Sequence, residues 1–214
     1  MELTFVKLRW HNLKKLEYLE KTEELFPYFQ GVTMETKQGL IQVYTGSGKG
    51  KTTAALGLAL RAIGRGYKVM FIQFIKPDRY ETGEVKAAEM LSPYLKFARF
   101  GRYPTALDES GSLLPDMDIG ESVREALQFA RKVIREGEYD LVVLDEINVA
   151  LDRGLITLDE VIGLIKEKPD FMELVLTGRN AHPKIVEMAD LVTEMREIKH
   201  PFKRGIKARR GIEF

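Results

Sequence analysis

Residues Thr45 to Thr52 read TGSGKGKT and stand between an apolar run, LIQVY, and an alanine-leucine run, TAALGLALRA. Glycine at 46, 48 and 50 lets successive backbone N–H groups turn inward around anionic oxygens, and the start of the following helix adds its partial positive charge. Lys51 is then placed to neutralise phosphate, and the Thr52 hydroxyl to reach a magnesium ion. The usual phosphate loop has glycine at its first position, where this chain has Thr45. The interior glycines keep the physics intact, so a nucleotide polyphosphate is the expected ligand. Its expected contacts are Gly46, Ser47, Gly48, Lys49, Gly50, Lys51, Thr52 and Thr53, with Lys51 and Thr52 as the catalytic pair. Lys49 reads either as a second phosphate contact or as a solvated surface lysine.

A second constellation lies a hundred residues on, where LVVLDE ends with Asp145 and Glu146. Acids at the end of such a strand commonly hold the magnesium of a bound nucleotide. Thr52, Asp145 and Glu146 are therefore the candidate metal ligands, and the sequence leaves open which carboxylate is nearer. Arg179 follows another apolar run, MELVLTG, on the side that faces ligand in open parallel sheets. His11, His182 and His200 are the chain's histidines, and none is assigned to a metal.

These residues need a scaffold, and the chain supplies alternating runs. Leu40–Tyr44, Lys68–Phe74, Leu95–Phe100, Asp140–Glu146, Met172–Gly178 and Leu191–Ile198 are predicted strands, the first two being continuous runs of the kind that strands buried on both faces show. Helices are predicted over about Lys51–Ile63, Ile119–Arg135, Val149–Arg153 and Leu158–Lys166, with another opening at Pro183. The alternation predicts an α/β fold with a doubly wound, mostly parallel sheet of the phosphate-loop NTPase kind. Before it, Leu8 to Phe29 sets Leu13, Leu16, Tyr18 and Leu19 at helical spacing among Lys and Glu. The chain thus divides into an N-terminal helical extension, 1–38, and a nucleotide-binding domain, 39–214.

Composition narrows the partners. With 214 residues, 44% hydrophobic and a formal net charge of +1, the chain can bury one core and carries no overall field to recruit nucleic acid or an anionic membrane. It has no cysteine, which removes disulfides, thiolate metal sites and cysteine nucleophiles together. No run approaches a membrane span. The expected compartment is the cytoplasm.

Four stretches carry a closer likeness: YTGSGKGKTTAA, GLALRAIGRGYKVMFIQFIK, VLDEINVALDRGLITLDEVI, and the closing LVLTGRNAHPKIVEMADLVTEMREIKHPFKRGIKARRGIEF. Together they resemble the ATP:corrinoid adenosyltransferases of the phosphate-loop type, across nearly all of residues 39–214. The closing block is far more specific than the loop, which many unrelated folds share. The resemblance implies transfer of the 5′-deoxyadenosyl group of ATP to the cobalt(I) of a reduced corrinoid such as cob(I)alamin, with release of triphosphate. It implies magnesium as cofactor, ATP lying along the loop in the reverse sense, and a homodimer. An electron donor such as a reduced flavoprotein is implied with it.

The same resemblance sets Arg61, otherwise a helix-end charge, beside Arg179 as a nucleotide contact. It makes the N-terminal extension a lid or dimer arm, although a purely stabilising helix reads equally well. Many relatives carry a Phe-x-Trp pair that is absent from FARFGRYPTALDES here. Phe100 and Tyr103 are the expected substitutes for corrinoid contact. The rival reading is a recombinase-like phosphate-loop ATPase, which shares the loop and the acids but leaves the closing block unexplained.

Overall fold

The structure is a computed structural model that describes residues 38–76, 82–101 and 117–213. The expected N-terminal extension, His11 and Tyr103 lie outside these residues. In chain order the elements are β1 (Ile41–Thr45), α1 (Lys51–Ile63), β2 (Val69–Gln73), α2 (Gly83–Met90), β3 (Leu95–Arg99) and α3 (Met117–Glu136). They continue with β4 (Leu141–Asp145), α4 (Ile147–Asp152), α5 (Leu158–Lys166), β5 (Glu173–Thr177), α6 (Pro183–Met188) and β6 (Leu191–Glu194). A 3₁₀ turn, Pro201–Arg204, follows.

The strands form one sheet in the order β3-β2-β4-β5-β1-β6, and every adjacent pair is parallel. Parallel strands need crossovers, and the helices that supply them cover both faces. Alternate residues of each central strand therefore feed different cores. Val142 and Leu144 of β4 join Ile72 of β2, Leu174 and Leu176 of β5, and the apolar stripes of α3 and α5 on one face. Leu141 and Val143 join Phe71, Val175 and the small residues Ala55 and Ala59 of α1 on the other. Ala55 and Ala59, four apart and fully buried, let α1 lie close against the sheet.

Sheet register also fixes where the chemistry collects. Gln73 pairs with Asp145 and Tyr44 with Thr177, so β2, β4, β1 and β5 end at one edge. The doubly wound parallel fold is as expected from the alternating runs, with local differences. β6 ends at Glu194, four residues before the predicted Ile198, because the chain there turns against the phosphate loop: Gly48 donates its N–H to the Met195 carbonyl at 2.6 Å. α4 starts two residues earlier than predicted, launched directly from Glu146 in the left-handed region (φ 65°). The short α2, with only Ala88 buried, shows too little apolar periodicity to have been predicted. Among the described residues, no helix is long and apolar enough to cross a membrane.

Candidate functional site

The loop 46–50 leaves β1 and enters α1 with almost no room for side chains on one side. A Cβ on Gly46 would collide with the Met195 carbonyl oxygen, and one on Gly48 would come within 2.8 Å of that oxygen and of the Arg196 carbonyl carbon. Glycine is required there because backbone packs on backbone. The loop is thus braced by the strand exit at 195–196 while its other side faces a cavity of about 850 Å³.

Lys51 is buried, and its ammonium folds back onto the loop, donating to the Gly46 carbonyl at 2.7 Å and the Gly48 carbonyl at 2.8 Å. Burial lowers its pKa; nearby Glu146 opposes that shift, Arg179 adds to it, and Asp145 opposes it in turn. The same geometry leaves the ammonium one side-chain rotation from any anion in the cavity.

Asp145, completely buried at the end of β4, is the hub of the site. Its Oδ1 accepts from the Thr52 hydroxyl at 2.9 Å and the Thr177 hydroxyl at 2.6 Å. Its Oδ2 accepts from Gln73 Nε2 at 3.0 Å and Lys76 Nζ at 3.3 Å. A buried carboxylate is tolerable only with such donors and a nearby cation. Asp145 therefore ties the ends of β2, β4 and β5 to the first turn of α1.

Glu146 stands in different surroundings. Its left-handed backbone, with N–H donated to the Thr177 hydroxyl at 3.0 Å, turns the residue toward the cavity it lines. Burial, and then the charge of Asp145, raises its carboxyl pKa, with Lys76, Lys51 and Arg179 acting against the rise. Asp145 has both oxygens occupied by protein donors, whereas Glu146 presents its carboxyl to the open space.

The other expected contacts divide into two groups. Ser47, Gly48, Lys49, Gly50, Thr53 and Arg179 line the cavity with Lys51, Thr52 and Glu146. Arg61 does not: it is an exposed residue in the last turn of α1, and its positive charge acts on the Tyr44 hydroxyl. Phe100 does not line it either, since its ring packs 5.5 Å from that of Phe129 against the core under α3. His182 caps α6 by accepting from the Lys184 N–H, and His200 accepts from the Phe202 N–H in the same manner.

Several lining residues carried no signal that was read from the sequence. Lys76, three positions past the end of β2, reaches both the cavity and Asp145; its place beyond a strand's carboxyl end was the clue. Leu56 and Leu60 of α1, Ala87 of α2 and the neighbouring Leu91 line the same cavity as the charged loop residues, so its lining is part polar and part apolar. Leu60 stays 60% exposed, and Phe202 and Ile212, also on the rim, are 73% and 61% exposed.

The sequence profile of one protein family, ATP:corrinoid adenosyltransferase BtuR/CobO/CobP, matches residues 37–214. The chain is 42% identical over 184 residues to a corrinoid adenosyltransferase of Sinorhizobium sp, covering 85% of this chain and 83% of the relative. It is 36% identical over 181 residues to the corrinoid adenosyltransferase of Escherichia coli K12, covering 84% of this chain and 88% of that one. Among solved structures, it resembles in fold the flagellar accessory protein FlaH from Methanocaldococcus jannaschii. That match has TM-score 0.50 and 13% identity, and covers 74% of this chain and 71% of the other.

Proposed function

The chain belongs to the ATP:corrinoid adenosyltransferase family, and from that premise we propose how its cavity carries ATP-dependent adenosylation of a corrinoid. Cobalt(I) of the reduced corrinoid, as substrate, attacks C5′ of ATP. The C5′–O bond breaks, its electron pair departs with triphosphate, and a carbon–cobalt bond forms as the metal becomes formally cobalt(III). The polyphosphate is the leaving group, so the task of the protein is to stabilise charge as it develops there.

The observation that carries this reading is the joining of two unlike walls in one space. The phosphate loop, Lys51, Lys76 and Arg179 make a cationic end, and Leu56, Leu60, Ala87, Leu91 and Leu95 make an apolar flank. A triphosphate suits the first and a corrinoid macrocycle the second, with C5′ between them. Lys51 leaves the Gly46 and Gly48 carbonyls for phosphate, and loop N–H groups other than that of Gly48, which the Met195 carbonyl holds, orient the same anion. Because cobalt(I) is itself the nucleophile, the chain supplies no general base.

Magnesium fits this donor set. Thr52 has a hydroxyl at the loop and Glu146 a carboxyl facing the cavity, while no three acidic or histidine side chains among the described residues close a metal site by themselves. The chain would therefore hold the ion only together with phosphate oxygens, through Thr52 and Glu146, with Asp145 fixing Thr52. When bound it would add positive charge at the departing triphosphate. The reduced flavoprotein donor, the homodimer and a cytoplasmic setting belong to the proposal and rest on the resemblance and on composition.

Anaerobic incubation with ATP, magnesium and chemically reduced corrinoid tests the reaction. Intact triphosphate and a light-sensitive alkylcobalt product are expected. ADP with phosphate, and an unalkylated corrinoid, would restore the ATPase reading, which gives the apolar flank no role.

A further inference from the structure

The loop lysine Lys49 does not point freely into solvent. Its ammonium donates to the Glu213 carboxylate at 2.9 Å and sits 3.4 Å from the Ile212 carbonyl oxygen, tying the phosphate loop to a turn 164 positions away. That turn is internally built. The N–H groups of Ile212 and Glu213 both donate to the Arg209 carbonyl. The Arg209 N–H donates to Glu213 Oε2 at 2.7 Å, and its guanidinium reaches both carboxylate oxygens at 3.2 Å. Gly211, Ile212 and Glu213 line the same cavity as Lys49 and Lys51. A carboxylate is thus fixed at the polyanion end of the site, on a lysine that a triphosphate would also claim.

We propose that Glu213 is a positioning residue that competes with the bound polyphosphate for Lys49, so that the closing turn weakens triphosphate retention and favours its release. This rests on reading the cavity as a polyphosphate site. The side-chain bonds from Arg209 and then Lys49 hold the Glu213 carboxyl down to about 2, so it is ionised at any working pH. A fixed negative charge within reach of a bound polyanion raises that anion's energy, and an ammonium already engaged must be taken from its partner before it serves phosphate. Both effects act on the leaving triphosphate as well as on ATP. The ion pair is partly exposed, with side-chain exposures of 48% and 20%, so solvent screens it and a modest effect is expected.

The test is calorimetric titration of inorganic triphosphate into the full chain, with thermal melting of each variant to establish folding. Glu213→Gln should bind triphosphate about three- to fivefold more tightly than the wild type, the size set by one partly exposed charge pair. Glu213→Asp, which draws the carboxylate back from Lys49, should give a smaller gain of the same sign. In a Lys49→Met background the gain from Glu213→Gln should fall below about twofold, since the competition is removed. Unchanged or weaker binding by Glu213→Gln overturns the inference, as does an equal gain in both backgrounds. Absence of triphosphate binding by the wild type would overturn the cavity reading and this inference together; binding by the wild type with no change in the variants would overturn the inference alone.

Discussion

Asp145 and Glu146 are neighbours whose surroundings give them opposite consequences. Asp145 is held by four donors, while Glu146 is partly buried beside another carboxylate with its pKa raised. A carboxyl whose folded pKa lies above its unfolded one binds its proton more tightly when folded. Its destabilising effect is therefore full above the folded pKa and disappears as pH falls to the ordinary carboxylate range. Glu146→Gln should raise the melting temperature at neutral pH, lose that advantage on acidification, and lower kcat. A melting series across pH that showed no crossover toward equality would contradict the assignment. At Lys51 the charge matters through the departing triphosphate, so Lys51→Met should lower kcat by about a hundredfold or more, measured as alkylcobalt formation at saturating ATP. The motif and the strand-end position made it legible in the sequence that Thr52, Lys51 and the acid pair lie close together. The division of labour between the acids was not, because it follows from a single left-handed residue, Glu146, whose φ no sequence pattern near it demands.

At the level of elements, α1 does three jobs with one stretch of sequence. Its first turn carries Lys51 and Thr52, its Ala55 and Ala59 stripe seats it on the sheet, and Leu56 and Leu60 are turned to the cavity. Leu60 is mostly exposed, so a charge there costs the fold little. Leu60→Asp should raise the KM for corrinoid about tenfold, by placing an ion where apolar surface is buried, and leave the KM for ATP within about twofold, since Leu60 lies some two turns from the loop. Equal effects on both constants would show that the apolar flank is no separate subsite. The central strands β2, β4 and β5 were legible because burial on both faces leaves continuous apolar runs. α2 was not, since a helix that buries only Ala88 prints no periodic stripe, and β6 was overextended because Met195 and Ile198 add apolar positions after the backbone has turned to brace Gly48.

Across the whole molecule, the phosphate loop, Lys76, Glu146, Arg179 and Glu197 meet in the cavity from beyond the exits of β1, β2, β4, β5 and β6. The sheet order brings the loop after β1 and the arginine after β5 side by side. Fold class, and the glycine loop that lines the cavity, could be read in advance because each rests on a local pattern. Lys49 meeting Glu213, or Lys76 meeting Asp145 across 69 positions, depends on topology and leaves no mark in either stretch alone. Arg61 and Phe100 show the converse: resemblance made both site candidates, while neither lines the cavity, Arg61 standing exposed in the last turn of α1 and Phe100 packing, partly buried, against the core beside Phe129. The claim on which the account turns is that the bond to C5′ breaks and no bond between phosphates does. ATP labelled with heavy oxygen at the atom joining C5′ to the α-phosphate, given to the protein with reduced corrinoid, tests it directly by mass spectrometry of the products. The account predicts one intact triphosphate retaining all of the label and an adenosylated corrinoid with none; label in an AMP or ADP product, with the corrinoid unchanged, would contradict it.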